Sequence, residues 1–365
     1  MARKKTALVC AILAFLSGGG YLGYQANHEA IMAEVKSALV SGVADATDAR
    51  LELDSLDLES PFSARADNVS LYTKDGEKLG AVKSVTVDFD PIALLWNMDE
   101  PVKVIREISL EAPSVYLTQS ADGAWNVESL LSEDESSDMS LESRIRVTEG
   151  EAVLTMNGEV WQVTNVEGTL DLLADSVYEV DMTCMEGGAS LGVKGRWGDA
   201  SSAVVVEAKD VMVARYAPIL PSEWKSYAPS GMITAGNIVI KGCADDIKVS
   251  GDIDLADGAF RYDDIAVSAL AGRVTFSPEK VGLNIAGNVA QQAVSVSGDM
   301  LLDRPQTELS LNVRSDGFDL GAIPKVDLPI SGTAKVDAKI VGAVDDIAVD
   351  ATVEADGRAY LCIEL

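Results

Sequence analysis

One histidine, four cysteines and a surplus of carboxylates are the groups through which this 365-residue chain could do chemistry. His28 is the single side chain whose unperturbed pKa lies near neutrality, and it stands just beyond an uncharged apolar run ending at Tyr24. No Gly-rich phosphate loop, H-E-x-x-H or G-x-S-x-G pattern occurs, so nucleophile–base chemistry lacks its base. Cys184, Cys243 and Cys362 are far apart without C-x-x-C spacing and make no metal pattern. They read as small buried hydrophobes, and Cys10 as part of the apolar run. The carboxylates fall mostly at alternate positions of strand-like runs, where a solvated face is the simpler reading. An enzymatic reading would need carboxylates converging in a cleft with raised pKa values. The expectation is a protein that is not an enzyme and carries neither cofactor nor metal.

Charge narrows the partners. The 58 acidic residues against 29 basic ones give a formal charge of −29. That argues against nucleic acid, whose binding draws on clustered Lys and Arg. A hydrophobic content of 47 % is ample for a folded core.

The N-terminus sets the compartment. After "MARKK" comes "TALVCAILAFLSGGGYLGY", residues 6–24, roughly nineteen uncharged residues, the length of a membrane-crossing helix. Arg3, Lys4 and Lys5 precede it and the acidic remainder follows, which puts the N-terminus in the cytoplasm and the bulk across the membrane. A cleaved signal peptide is the competing reading. An amphipathic helix is expected at 27–46.

Thereafter nearly every segment alternates with period two, as in "SVTVDFD", "REISLE" and "TELSLNV", the pattern of strands with one apolar face. Short helices are expected at "PIALLWN", "NVESLLS" and "VARYAPILPSEWKSYAP". The acidic, Ser-rich "SEDESSDMS" reads as a linker or exposed loop. "DMTCMEGGASLG" holds a Gly-Gly hairpin turn.

An internal repeat is present. "PSGMITAGNIVIKGCADDIKVSGDIDLADGAF" from Pro229 aligns with "PISGTAKVDAKIVGAVDDIAVDATVEADGRAY" from Pro329, pairing Gly242 with Gly342, Asp246 with Asp346, Ile247 with Ile347, Val249 with Val349 and Gly258 with Gly357. Each copy reads as an antiparallel hairpin, turning at Asp-Asp and ending at Asp-Gly before an aromatic. Such units stack into long sheets in which each hairpin meets mainly its neighbours.

The span, the helix, and the stretch "IREISLEAPSVYLTQSADGAWNVESLL" together resemble the AsmA-like family of bacterial envelope proteins, which includes TamB-like members. The residues carrying the resemblance are Ile108, Leu110, Pro113, Val115, Leu117, Asp122, Gly123, Trp125, Asn126, Leu130 and Leu131. On the residues alone, Pro113 ends a strand at an edge, Asp122-Gly123 closes a hairpin, and Asn126 caps a short helix. The match covers 1–132; the β region beyond it is similar more loosely. TamB-like chains are longer, so this one is either a short member or truncated.

The expected architecture is mainly β: an N-terminal transmembrane helix, then a long curved antiparallel β-sheet with a few short helices. Its expected parts are an anchor at 1–26, a helix-plus-sheet module at 27–132, an acidic linker at 133–142 and a repetitive β region at 143–365. The resemblance implies a taco-like groove that holds lipid tails, in a protein of the bacterial inner membrane with its bulk in the periplasm, linked to phospholipid transport between membranes. Physics leads the same way, because an open sheet with one apolar face must cover it with a second layer, its own curl or a ligand. About twenty strands at about 4.8 Å would make a trough ~90 Å long. Candidate groove residues are Val85, Val87, Phe89, Ile247, Val249, Ile253, Leu255, Ile347, Val349 and Val353; the core of a closed sandwich would suit each as well. The implied partners are phospholipid and the inner membrane. The alternative is an assembly factor whose sheet edges pair with strands of outer-membrane or other envelope proteins.

Overall fold

The computed structural model describes residues 32–33, 35–37, 39–41, 49–60, 62–90, 104–120, 123–128, 142–198, 200–243, 246–262, 265–302, 304, 306–319, 332–355 and 358–364. The expected membrane span at 6–24, the helix at 91–97, Leu130 and Leu131, and the acidic stretch 133–141 lie outside them. Among the described residues no helix is long and apolar enough to cross a membrane. Part of the expected helix at 27–46 is helical, at 32–33, 35–37 and 39–41, with Met32 buried and Lys36 Nζ donating to the Asp54 carbonyl at 2.8 Å.

Alternation of apolar and polar residues makes strands almost throughout, and among the described residues twenty-one strands hydrogen-bond into one long sheet, mostly antiparallel. The chain divides into two compact units, Met1–Gly187 with Gly192–Ala200, and Gly188–Leu191 with Ser201–Leu365.

The first unit contains β1 (Arg50–Glu52), β2 (Ser55–Ser60), β3 (Ser63–Tyr72), β4 (Lys78–Phe89), β5 (Ile105–Glu111), β6 (Ser114–Thr118), β7 (Ser143–Met156), β8 (Glu159–Leu173), β9 (Val177–Glu186) and most of β10 (Ala189–Trp197). Here the wholly antiparallel expectation is corrected, because β7 runs parallel to both β5 and β6. A parallel return needs a crossover of about a dozen residues or more, and residues 119–142 supply that length. Pro113 therefore does not close off an edge strand. Ala112, at φ 50°, and Pro113 interrupt one continuous line in which β5 and β6 both pair with β4 on one side and β7 on the other.

The tail of that line is held by Asn126. Its backbone N–H donates to the Thr118 carbonyl at 3.0 Å, its Oδ1 accepts from the Thr118 N–H at 3.1 Å, and its Nδ2 donates to the Tyr116 carbonyl and Glu77 Oε1, both at 3.1 Å. Beside it Glu128 Oε1 accepts the Trp125 N–H at 3.0 Å, as in the returning half of a capping box. The Gly-Gly turn forms as expected: Gly187 and Gly188, both at positive φ, join β9 to β10.

In the second unit β11 (Ser202–Lys209) and β12 (Val211–Met212) both pair with β13 (Ser230–Cys243). An antiparallel meander follows: β14 (Asp246–Tyr262), β15 (Ile265–Phe276), β16 (Lys280–Val289), β17 (Gln292–Leu301), β18 (Glu308–Asp319), β19 (Thr333–Ala343), β20 (Asp346–Ala355) and β21 (Arg358–Glu364). The expected helices near 213–229 are a 3-10 helix at Val213–Ile219 and a single turn at Ser222–Lys225. Both repeat copies form their hairpin, β13–β14 and β19–β20. They differ at the Asp-Gly: in the first copy the strand does not end there but runs on to Tyr262 through a bulge with Asp257 at φ 53°, whereas in the second β20 stops at Ala355 and β21 starts at Arg358, its pairing partner.

Candidate functional site

Cross-strand partners put their side chains on one face of a sheet, so the registers trace each face residue by residue. In the first unit, Ala64, Val87, Ile108, Ile145, Leu170 and Val180 stand opposite one another from β3 to β9. Ala66, Val85, Leu110, Val147, Gly168 and Met182 make the row beside it. The second unit repeats the arrangement over more strands. One row is Ala208, Gly236, Ile253, Val274, Leu283, Gly298, Leu311, Ile340 and Val349. Its neighbour is Ile233, Leu255, Gly272, Ile285, Val296, Val313, Ala338 and Ala351. Another runs Ile238, Gly251, Phe276, Val281, Met300, Leu309, Gly342 and Ile347.

These rows hold no charged residue, and nearly all their members are half-buried; Ala66 and Ala338 are buried, each 9 % exposed, and Ile347 at a hairpin end is exposed. Half-burial is what apolar side chains reach when they shield one another along a sheet without a facing layer, since residues in a filled core are commonly almost wholly enclosed. The other face is charged. In the first unit Asp88, Glu107, Arg144, Asp171 and Glu179 form a row, with Arg144 donating to both carboxylate oxygens of Asp171 at 2.6 and 2.9 Å and Arg146 to Glu107 at 2.8 Å. The Arg146 guanidinium beside Glu107, and that of Arg144 beside Asp171, hold these carboxyls below the usual range. Glu111 is likewise lowered by Lys83 and the Ser84 hydroxyl. In the second unit Asp254, Arg273, Asn284, Ser297, Asn312, Lys339 and Asp350 face outward together, with Arg273 donating to Asp252 at 2.7 Å.

Two glycines within the rows bring strands close together. Gly272 and Gly298 have φ of 133° and 138°, and a Cβ on them would lie 2.2 Å from the Asn284 carbonyl oxygen and 2.1 Å from that of Ser310. Only glycine fits there without displacing backbone.

The registers bring most of the sequence-predicted residues onto these faces. Val85 and Val87 sit in adjacent rows of the first unit; in the second, Ile253 and Val349 share one row, while Leu255 and Ile347 occupy the two beside it. Val353 lies opposite Val336 on the same face. Ile247, Val249 and Ile347, 46 %, 42 % and 40 % exposed, lie near the hairpin turns, opposite Gly242, Ile240 and Gly342. Phe89 is placed differently: it is buried in a small cluster with Val104, Leu58 and Ala64, so the protein's own side chains fill its surroundings. Cys184 and Cys243 are free and half-buried, and burial pushes the Cys184 thiol up, with Glu186 adding to the shift.

A cavity of about 580 Å³ opens in the second unit between the ends of β13–β15 and the helical segment 213–227. Sequence reasoning missed it. The available signal was the aromatic cluster Tyr216, Trp224 and Tyr227 within a short insert, which periodicity resolves only as helix. No protein-family model matches the chain, and no curated protein matches it significantly.

Proposed function

We propose that this chain binds the acyl chains of phospholipids on the apolar face of its sheet and takes part in moving lipid between the membranes of a bacterial envelope, anchored in the inner membrane through residues 6–24 with its bulk in the periplasm. The observation that carries the reading is the continuity of half-buried, uncharged rows from strand to strand within each unit, backed by a face of ion pairs. Exposed contiguous apolar surface beyond a few hundred Å² marks a binding or interaction site, and an unbranched hydrocarbon asks only for dispersion contacts and exclusion from water. The resemblance over residues 1–132 supports the same class.

The test is lipid extraction from the purified full-length chain and two variants. Val274→Asp places a charge in the middle of a row, and Ser297→Asp places one on the opposite face. Co-purifying phospholipid in the parent and in Ser297→Asp, with loss in a folded Val274→Asp, is the expected result, because an unpaired carboxylate in an apolar site costs several kcal/mol. Equal lipid in both variants would contradict the assignment of that face.

A further inference from the structure

We infer that the cavity beside the 213–227 segment is a discrete seat for the end of a single acyl chain, joined to the open rows at Leu255 and walled on one side by aromatic side chains. This rests on the acyl-chain reading above and adds to it a site, a wall and a mouth.

The floor comes from the sheet. Two bulges, with Asp257 and Ala269 at φ 53° and 49°, shift the registers of β14 and β15. After the shifts Phe260 pairs with Val267 and Tyr262 with Ile265, while Gly258 pairs with Leu270. The apolar face is thereby kept through a stretch where unbroken alternation would have turned it over. Leu255, in one of the long rows, also lines the cavity, so the seat joins the face on which the lipid reading rests.

The wall comes from the insert. Val213, Trp224 and Tyr227 line it together with Phe260 and Leu270 of the sheet. Tyr227 stacks on Tyr262, ring centroids 6.1 Å apart and planes at 12°, and meets Trp224 edge-on at 6.3 Å. The Arg261 N–H donates to the Tyr227 carbonyl at 2.8 Å, tying the insert to β14.

Volume and chemistry select the occupant. Cavities of about 300–1,000 Å³ hold one small ligand, and 580 Å³ falls within that range. The lining is nearly all hydrocarbon or aromatic, and the Ser230 hydroxyl already donates to the Ala259 carbonyl at 3.4 Å. A ligand with several polar groups would leave them unpaired, whereas an alkyl chain loses nothing. At the mouth Trp224 and Tyr262 are 59 % and 60 % exposed, amphipathic rings suited to the boundary between hydrocarbon and water. Glu223 is the single acid in 211–229, against Arg215 and Lys225, and Lys225 and Arg261 are exposed beside lining residues. In a chain of −29 this is an unusual place, and it suits an acidic head group left outside.

The experiment is photo-crosslinking of the full-length chain with two probes, palmitic acid carrying a diazirine in its tail and a phosphatidylcholine carrying that same tail, each competed by its unlabelled counterpart. Competed adducts on peptides containing Trp224, Phe260 or Leu270 are expected; labelling by the fatty acid alone assigns the seat to free fatty acids, and labelling by the phospholipid assigns it to membrane lipid. Adducts confined to the rows around Val296 and Leu311 would overturn the seat and leave the broader reading standing. No competed adduct anywhere would overturn both. Leu270→Asp should lower labelling at the seat roughly tenfold or more, the effect of an unpaired charge in an apolar site. Should that variant fail to fold, Trp224→Ser at the exposed mouth takes its place: a several-fold drop is expected, and unchanged labelling overturns the proposal.

Discussion

Tyr227 lies flat against Tyr262, with centroids 6.1 Å apart, although the two rings come from different elements, the segment before β13 and the end of β14. An aromatic pair of this kind contributes about 0.5–1.5 kcal/mol beyond its buried area. Because Tyr262 is largely exposed, Tyr262→Ala should lower stability toward the bottom of that range, measured by denaturant unfolding. A loss of several kcal/mol would mean that the pair anchors the whole unit rather than the cavity wall.

Asn126 carries a larger structural share. Its hydrogen bonds include three to the end of β6 and one to Glu77. Asn126→Ala should cost about 1–3 kcal/mol, the consequence of leaving backbone groups without their partner. Asn126→Asp should rescue little: it retains an acceptor for the Thr118 N–H but loses both donations and sets a carboxylate against Glu77. Full stability of the Asp variant would show that the side-chain donations are dispensable.

The close strand approach at Gly298 predicts a sharp contrast between two glycines of the second unit. Gly298→Ala should destabilise by about 1–3 kcal/mol, from positive φ and a Cβ pressed on the Ser310 carbonyl. Gly317→Ala, where a Cβ would meet nothing within 4 Å, should stay within about 0.5 kcal/mol of the parent. Thermal melts of the two variants make the comparison.

The lowered carboxyls predict a pH dependence with a definite sign. Glu107 and Asp171 have folded pKa values depressed by Arg146 and Arg144. Their contribution is therefore complete above the unfolded carboxylate range, near 4, and disappears as pH falls through the folded values. Solvent screening of the exposed guanidinium groups keeps each contribution small. The stability gap between the parent and an Arg144→Met, Arg146→Met double variant should be full at neutral pH and narrow below about pH 4. A gap independent of pH would place the effect in packing of the arginine stems.

Strand content was plain from the sequence because period-two alternation is a local property: "SVTVDFD" falls at the end of β4 and "TELSLNV" at the start of β18. The repeat hairpins were legible for the same reason. What local patterns could not carry was pairing at a distance. The Ile-x-Leu-x-x-Pro-x-Val-x-Leu stretch reads as two strands, yet only the register with β7 makes them one interrupted line beside a parallel neighbour. Asp257-Gly258 has turn chemistry, and the choice between a turn and a bulge was made by the continuing pairing of Phe260 and Tyr262 with β15. Among the candidate residues, alternation grouped Ile253 with Val349, which the registers set in one row, but could not tell that Phe89 ends in a filled cluster. The cavity depends on where an aromatic insert lands, which no periodicity encodes.

Native mass spectrometry of the full-length chain, released from detergent after mild purification, tests the central claim most directly. Bound species with phospholipid masses, present in the parent and depleted in a folded Val274→Asp variant, are the predicted result. A chain that emerges free of lipid across preparations, while remaining folded, would contradict it.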